Sequence, residues 1–212
     1  MALYKYPRIK HLPWSPGRAR DDLILNNTNH FQGKMVVVSI KMDGENTNLY
    51  PHTIHARSTD FLSGHLSRDW IKNLWAKIRY QIPDDWRVCG ENLYAKHTIH
   101  YLYLPAYFLV FSIWDDKNIC LSWPETVKWS KQLGLATVPV IYQGLYQEKL
   151  IRNLYTKTYD GDPCEGYVIR LAESFPFYRF HQSVAKYVRE SHVQTDKHWL
   201  RQPMIKNSLK PL

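Results

Sequence analysis

Residues 35–41, MVVVSIK, are apolar at almost every position. Val36, Val37, Val38 and Ile40 form the continuous β-branched run that a strand buried on both faces requires. The run ends in a cation and gives way to the polar string KMDGEN (41–46), in which Asp43-Gly44 predicts a hairpin into two short strands, TNLY and TIHAR. The period then changes. Leu66, Trp70, Ile71, Leu74, Trp75 and Ile78 recur at three- and four-residue intervals, which predicts a helix over 65–80 with its apolar stripe in the core and Arg68, Lys72 and Arg79 on the surface. Strands are expected at about 86–94 and 107–114, followed by a helix with Ser122 as N-cap, Glu125 closing a capping box and Gly134 near its end. EGYVIR (165–170) and SVAKYVR (183–189) are the last strand candidates, and the turn-rich opening HLPWSPGRARDD is expected to wrap the surface. The pattern as a whole is α+β, with antiparallel sheets dominating.

Composition changes this picture modestly. A length of 212 residues without repeats, low-complexity tracts or Gly/Ser linkers suits one domain spanning 1–212. The 28 Lys and Arg against 19 Asp and Glu leave a net charge of +9, which suits a polyanionic partner, and the 15 Tyr and 8 Trp offer faces on which bases could stack. Cys89, Cys120 and Cys164 lie far apart, so neither a zinc spacing nor a complete disulfide framework is present. Together with the lack of a signal-like N-terminus or of a run near the roughly 18 apolar residues of a membrane span, this points to an intracellular, cytoplasmic protein.

Lys41 admits two readings, a solvated strand end beside a turn or a reactive amine at a pocket mouth. The order of the downstream strings favours the second. Lys-x-Asp-Gly-x-Asn at 41–46 resembles the first motif of the covalent nucleotidyltransferases, the superfamily of ATP-dependent polynucleotide ligases and messenger RNA capping enzymes. HARSTD with Arg57, VCGENLYAKH with Glu91, VFSIWD with Phe111, CEGYVIR with Glu165 and VAKYVR with Lys186 resemble the remaining motifs in the family's order, from 41 to 189. GENLYAKH and EGYVIR are most similar to the phage-type RNA ligase 2 group.

That resemblance implies an ATP-grasp-like ligase adenylation domain, with antiparallel sheets flanked by helices, that uses ATP and Mg2+ or Mn2+ and acts on nicked or broken RNA ends. It implies Lys41 as the nucleophile that becomes adenylated, Glu91 on the ribose, Phe111 stacked on the adenine and Glu165 on a hydrated metal ion. Arg57 and Lys186 would contact phosphates or the ribose edge, and Asn46 would orient the RNA end. Ile40 stands where many such ligases carry a glutamate that reads the adenine amino group, so backbone contacts are expected to replace it. In the last motif Tyr187, Val188 and Arg189 follow Lys186 where two basic residues one apart are common. The chemistry explains the residue types: a lysine with a free pKa near about 10.4 must be neutral to attack phosphorus, and in-line phosphoryl transfer depends on positioning and on neutralised oxygens.

Asp43 and Gly44 are expected to shape the turn, through an Asx side chain on local backbone donors and a positive φ. His97 and His100 lack a third metal ligand and read as rim residues. Residues 190–212 are too few for a separate C-terminal OB domain, so the tail HVQTDKHWLRQP is expected to pack on the domain or to contact RNA through Lys197, His198, Trp199 and Arg201. A monomer is expected unless a partner subunit supplies an appendage. Guanylyl transfer to RNA ends and a non-catalytic RNA-end-binding module are the alternative functions.

Overall fold

The structure, a computed structural model, describes residues 2–59, 66–190 and 204–211. In chain order its elements are β1 (Lys10–His11), β2 (Met35–Ile40), β3 (Glu45–Leu49), β4 (Ile54–Ala56), α1 (Asp69–Ile78), β5 (Arg87–Asn92), β6 (Phe108–Trp114) and β7 (Ile119–Cys120). There follow α2 (Trp123–Gln132), β8 (Ala136–Thr137), β9 (Val140–Leu145), α3 (Glu148–Arg152), β10 (Thr158–Tyr159), β11 (Asp162–Pro163), β12 (Gly166–Leu171), β13 (Phe175–Pro176), α4 (Phe180–Ser183) and β14 (Val184–Val188).

Two sheets carry the architecture. One has the order β1-β14-β12-β2-β9, the other β13-β7-β6-β5-β3-β4 with β8 paired to β6; β10 and β11 form a separate ribbon. Pairing is antiparallel except for β1 with β14 and β8 with β6. The β-branched run of β2 lies inside its sheet between β12 and β9, and Val36, Val37 and Val38 are all but inaccessible, as a strand covered on both faces must be. Val36 and Val38 pack with Leu12, Tyr167, Ile169 and Ala185 on one face, leaving the opposite face of the same strands for the space between the sheets. Truncating one such valine to alanine removes buried methyls and leaves a void, a cost of about 2 kcal/mol.

Several expectations need correction. Asp43-Gly44 does not close a hairpin: β2 pairs with β9 and β12, whereas β3 pairs with β4 and β5, so residues 41–44 carry the chain from one sheet to the other. Gly44 is required by close approach, because a Cβ there would sit 2.5 Å from the Asn92 carbonyl oxygen, and its φ is not positive. The Asp43 carboxylate accepts from the backbone N–H groups of Thr98 (2.8 Å) and Ile99 (2.7 Å), which are distant in sequence rather than local. The real hairpin is β3–β4, with Leu49 opposite Ile54.

The predicted helix over 65–80 begins, within the described residues, as a 3-10 turn at Leu66–Arg68 and ends as another at Arg79–Gln81. Leu66 is exposed and Arg68 is buried, the reverse of the periodic assignment. The Arg68 guanidinium grips the Glu45 carboxylate through Nε (3.1 and 3.0 Å) and Nη2, tying the start of α1 to β3 beside Asn46. Losing one partner of so buried a pair costs about 3–5 kcal/mol. Ser122 caps α2 as expected, its Oγ accepting from Glu125 N, while the Glu125 carboxylate reaches back to the Ser122 hydroxyl rather than to its backbone N–H.

The opening segment is only partly a surface wrap: residues 18–21 are exposed, but its first half is built into the fold. His11, Leu12 and Ser15 are buried, β1 adds to the edge of the first sheet, and Gly17 packs so closely that a Cβ would meet the Arg189 carbonyl oxygen at 1.9 Å. β9 escaped the sequence reading because Pro139 interrupts the apolar stretch VPVIY, although Pro139 precedes the strand and sits where Pro is tolerated. Of the tail, residues 191–203, including Lys197, His198, Trp199 and Arg201, lie outside the described residues. Asn207 beyond them is buried, its side chain bonded to Tyr101 N and Leu93 O.

Candidate active site

Register builds the site. His11 pairs with Lys186, Lys186 with Val168, and Val168 with Ser39, which sets one row of side chains across four strands on the face turned away from the Val36–Val38 core. Two residues along each strand, Ile9, Val184, Arg170 and Lys41 share that face. All of these except His11 line a cavity of about 220 Å3 between the sheets. The second sheet supplies the other wall: Asn46 on β3 is opposite Glu91 on β5, and both reach the cavity.

Of the residues singled out in the sequence, Ile40, Lys41, Asn46, Arg57, Glu91, Phe111 and Lys186 line this one cavity. Glu165 is not in the lining but meets it through Lys41. The Lys41 backbone N–H donates to Gly166 O (2.9 Å), which aligns the end of β2 with the start of β12, and Lys41 Nζ donates to Glu165 Oε1. Arg57, just past β4, is exposed at the rim. His97 and His100 are not in the lining, and His100 Nε2 meets Lys206 O. No group of three or more His, Cys, Asp or Glu side chains among the described residues is arranged to hold a metal ion.

Phe111 owes its position to an irregularity. Cys89 is paired with Ser112 and Gly90 with Val110, so Phe111 is the extra residue of a β-bulge. A bulge re-aims its side chain out of strict alternation. Phe111 is only partly buried, meets Tyr6 edge to face at 5.2 Å, and its carbonyl accepts from Arg170 Nη1 (3.3 Å).

The sequence reading missed part of the wall. Tyr6, Pro7 and Ile9 come from the N-terminal segment, Arg170 from β12 of the first sheet and Phe175 from β13 of the second. Arg170 was legible only as the end of EGYVIR; in the fold its guanidinium is spent on the carbonyls of Phe111, Leu121 and Leu171. Nothing local in MALYKYPRIK signals a cavity wall, because the parallel pairing of β1 with β14 is what brings it there.

Electrostatics set the two lysines apart. Burial favours the neutral form of Lys41, but the Glu165 charge and hydrogen bond, with Glu91 and Asp43 behind them, outweigh it and raise its pKa above the ordinary lysine value. For Lys186 burial and the nearby Lys41 charge prevail over Asp22 and Glu165, and its pKa falls. Glu91 is pushed up to about 8, first by burial and then by Glu165 and Asp43, against the pull of Lys41 and the hydrogen bond from Gly44 N (3.1 Å). One end of the cavity is therefore an acidic cluster closed by a lysine.

Comparison with known proteins identifies the family and the fold. The RNA ligase family model matches residues 34–188, more than half of the chain, and the protein belongs to that family. Solved structures of Naegleria gruberi RNA ligase share the fold: an apo variant superposes with a TM-score of 0.58 at 16% identity, covering 76% of this chain and 51% of that one. A variant of the same ligase with ATP and Mn gives 0.57 at 16%, covering 76% and 52%. Another, also with ATP and Mn, gives 0.58 at 14%, covering 89% and 61%. The chain thus spans about half to three-fifths of the solved ligases it matches. No curated protein matches. Among the described residues, no helix is long and apolar enough to cross a membrane.

Proposed function

We propose that the protein is an ATP-dependent RNA ligase that joins RNA 5'-phosphate and 3'-hydroxyl ends through a lysyl-AMP intermediate, with residues 1–212 working as one adenylation domain. The observation that carries this is the convergence of Lys41, Glu91, Glu165, Phe111 and Lys186, far apart in sequence, on one cavity between two sheets. In the first step Lys41 Nζ attacks the α-phosphorus of ATP, the bond to the bridging oxygen breaks, and pyrophosphate leaves. The nitrogen loses a proton in doing so. In the second step an RNA 5'-phosphate oxygen takes the adenylyl group and the P–N bond breaks. In the third, a 3'-hydroxyl attacks that 5'-phosphate and AMP departs.

The position of each residue supports the part that the resemblance implies for it. Phe111, aimed by its bulge, stacks on the base, with Tyr6 holding it from behind. Glu91, protonated more readily than an ordinary carboxyl, bonds the ribose hydroxyls. Ile40 packs against the base and leaves its recognition to the backbone. Lys186 and Arg57 hold phosphate oxygens, and Asn46 orients the RNA end. The donor set fits a hard divalent cation such as Mg2+ or Mn2+: Glu165 is buried, Asp43 adds negative field, and such ions bind through one or two carboxylates with water and phosphate completing the shell. Bound there, the cation supplies charge that competes with Lys41 for Glu165 and neutralises phosphoryl oxygens.

The test is covalent labelling with α-labelled ATP and Mg2+ or Mn2+. Wild type is expected to take up one label that Lys41→Ala lacks; equal label on both proteins, or on neither, refutes lysyl-adenylate formation. Competition among the four triphosphates separates adenylyl from guanylyl transfer. RNA binding without any label would favour a non-catalytic end-binding module.

A further inference from the structure

A second cluster of charged side chains stands directly behind Lys186, and none of its members was given a part above. Residues 21–25 fold back along β1, with His11 N donating to Leu23 O (2.7 Å) and Leu25 N to His11 O (2.9 Å). That return places the Asp22 carboxylate beside Lys186 at the middle of β14. Its Oδ1 lies 4.0 Å from Lys186 Nζ and its Oδ2 3.2 Å from His11 Nε2, while Ala19 N donates to Oδ2 (2.9 Å) and exposed Arg8 reaches Oδ1 (3.4 Å). The imidazole is held on its far side by Ser15 Oγ (2.8 Å), and that hydroxyl accepts from Val188 N (2.9 Å) on the same strand as Lys186. Leu12 N closes the frame on Lys186 O (2.7 Å).

We infer that Asp22 is a positioning residue for Lys186: the N-terminal segment, which lies before the part of the chain matched by the ligase family model, presents a carboxylate that fixes where the lysine's charge sits relative to Lys41. The inference rests on the assignment of Lys186 to phosphate. A lysine ammonium is a flexible point charge on four methylenes, so its usefulness in a phosphoryl transfer depends on something that restricts its reach. Asp22 is suited to that restriction because it is itself restricted. Burial works against its charge, yet the Ala19 N–H and the Lys186, His11 and Arg8 groups hold its pKa below the ordinary carboxylate value, so it stays anionic. At 4.0 Å it attracts Lys186 without the direct hydrogen bond that binds Lys41 to Glu165, which leaves the ammonium's donors for a phosphate.

The experiment measures the rate of lysyl-adenylate formation against ATP concentration in the full chain, with the unfolding temperature of each variant recorded beside it. Lys186→Ala is the reference. Asp22→Asn, an isostere that keeps an acceptor for Ala19 N, is expected to lower the maximal rate about tenfold or more with a smaller change in the ATP concentration for half-maximal rate. Asp22→Glu, which retains the charge, is expected to recover most of that loss. Introduced into Lys186→Ala, Asp22→Asn is expected to cost nothing further, because a residue that acts through another has no effect once that other is gone. His11→Gln, which loosens the carboxylate but leaves it charged, provides a milder arm should Asp22→Asn not fold, and its loss too should vanish in the Lys186→Ala background.

The inference is overturned if Asp22→Asn keeps the wild-type rate while Lys186→Ala loses it, or if the Asp22 and His11 losses persist undiminished without Lys186. Equal losses in the Asn and Glu variants, matched by equal drops in unfolding temperature, also overturn it. Should Lys186→Ala itself label like wild type, the phosphate assignment fails and takes the Asp22 role with it, an outcome distinct from the others.

Discussion

Two lysines on neighbouring parts of one sheet enter the same cavity, and the protein pushes them in opposite directions. Lys41, at the end of β2, is held above its ordinary pKa by a carboxylate in hydrogen-bond contact; Lys186, on β14, is held below it, its carboxylate standing back at 4.0 Å. Burial acts alike on both. The difference lies in the repulsion of Lys186 by the Lys41 charge and in the distance to the nearest anion, since Coulomb attraction weakens as the partners move beyond contact. What this teaches is that the resting nucleophile is locked as an ammonium ion, while its neighbour holds its proton less tightly than an ordinary lysine.

The strongest way to break the comparison is to remove the lock. Glu165→Gln deletes the contact charge, so burial becomes the dominant influence on Lys41 and its pKa should drop; an amine-selective acylating reagent at pH 8, read by mass spectrometry, should then modify Lys41 faster than in wild type. Adenylation should nonetheless fall by at least about a thousandfold, because the same carboxylate is the proposed seat of the metal ion. Slow acylation together with normal labelling would remove the lock as an explanation. Next in size, Lys186→Ala should reduce adenylation by about a hundredfold while leaving the acylation rate of Lys41 unchanged or slightly lower, since losing a neighbouring cation favours the Lys41 ammonium.

The smallest expected effect is on stability and sharpens the picture of the acidic end. A carboxyl whose folded-state pKa is raised to about 8 binds its proton more tightly in the folded chain than in the unfolded one, where it ionises near 4.5. The unfolded state therefore gains by ionising between these values, and the Glu91 contribution to stability falls as pH rises through that window. Glu91→Gln keeps an acceptor for Gly44 N and removes the ionisation, so the stability it adds should be nothing below about pH 4.5 and should grow steadily as pH rises towards 8. Thermal unfolding followed from pH 4 to 9 measures this. A parallel pH dependence in the two proteins would mean that Glu91 titrates normally.

The protein's local patterns were readable without coordinates. The run at 36–40 announced a strand covered on both faces, Ser122 and Glu125 announced a helix start, and both formed where the chain said, because strand burial and capping involve neighbours in sequence. The motif order brought forward Lys41, Glu91, Phe111, Glu165 and Lys186, and the fold gathers them at one cavity. Where local reading went wrong, a distant partner was the cause. Asp43-Gly44 has the composition of a hairpin turn, but Thr98 and Ile99 claim the Asp43 carboxylate and the chain changes sheets instead. Arg68 fits the polar side of a helical pattern, but Glu45 draws it inside.

By itself, then, the amino-acid order determined the long strands β2, β5, β6, β12 and β14, the capped helix and the set of chemical groups available, because those depend on periodicity and side-chain type over a few residues. The tertiary structure alone decided that β1 joins the sheet parallel to β14, that Tyr6, Pro7 and Ile9 become cavity wall, that a bulge turns Phe111 toward the cavity, and that Asp22 stands behind Lys186. Those placements depend on register between segments far apart in the chain, and register is set by which faces must be buried together, a condition that no short window of sequence contains.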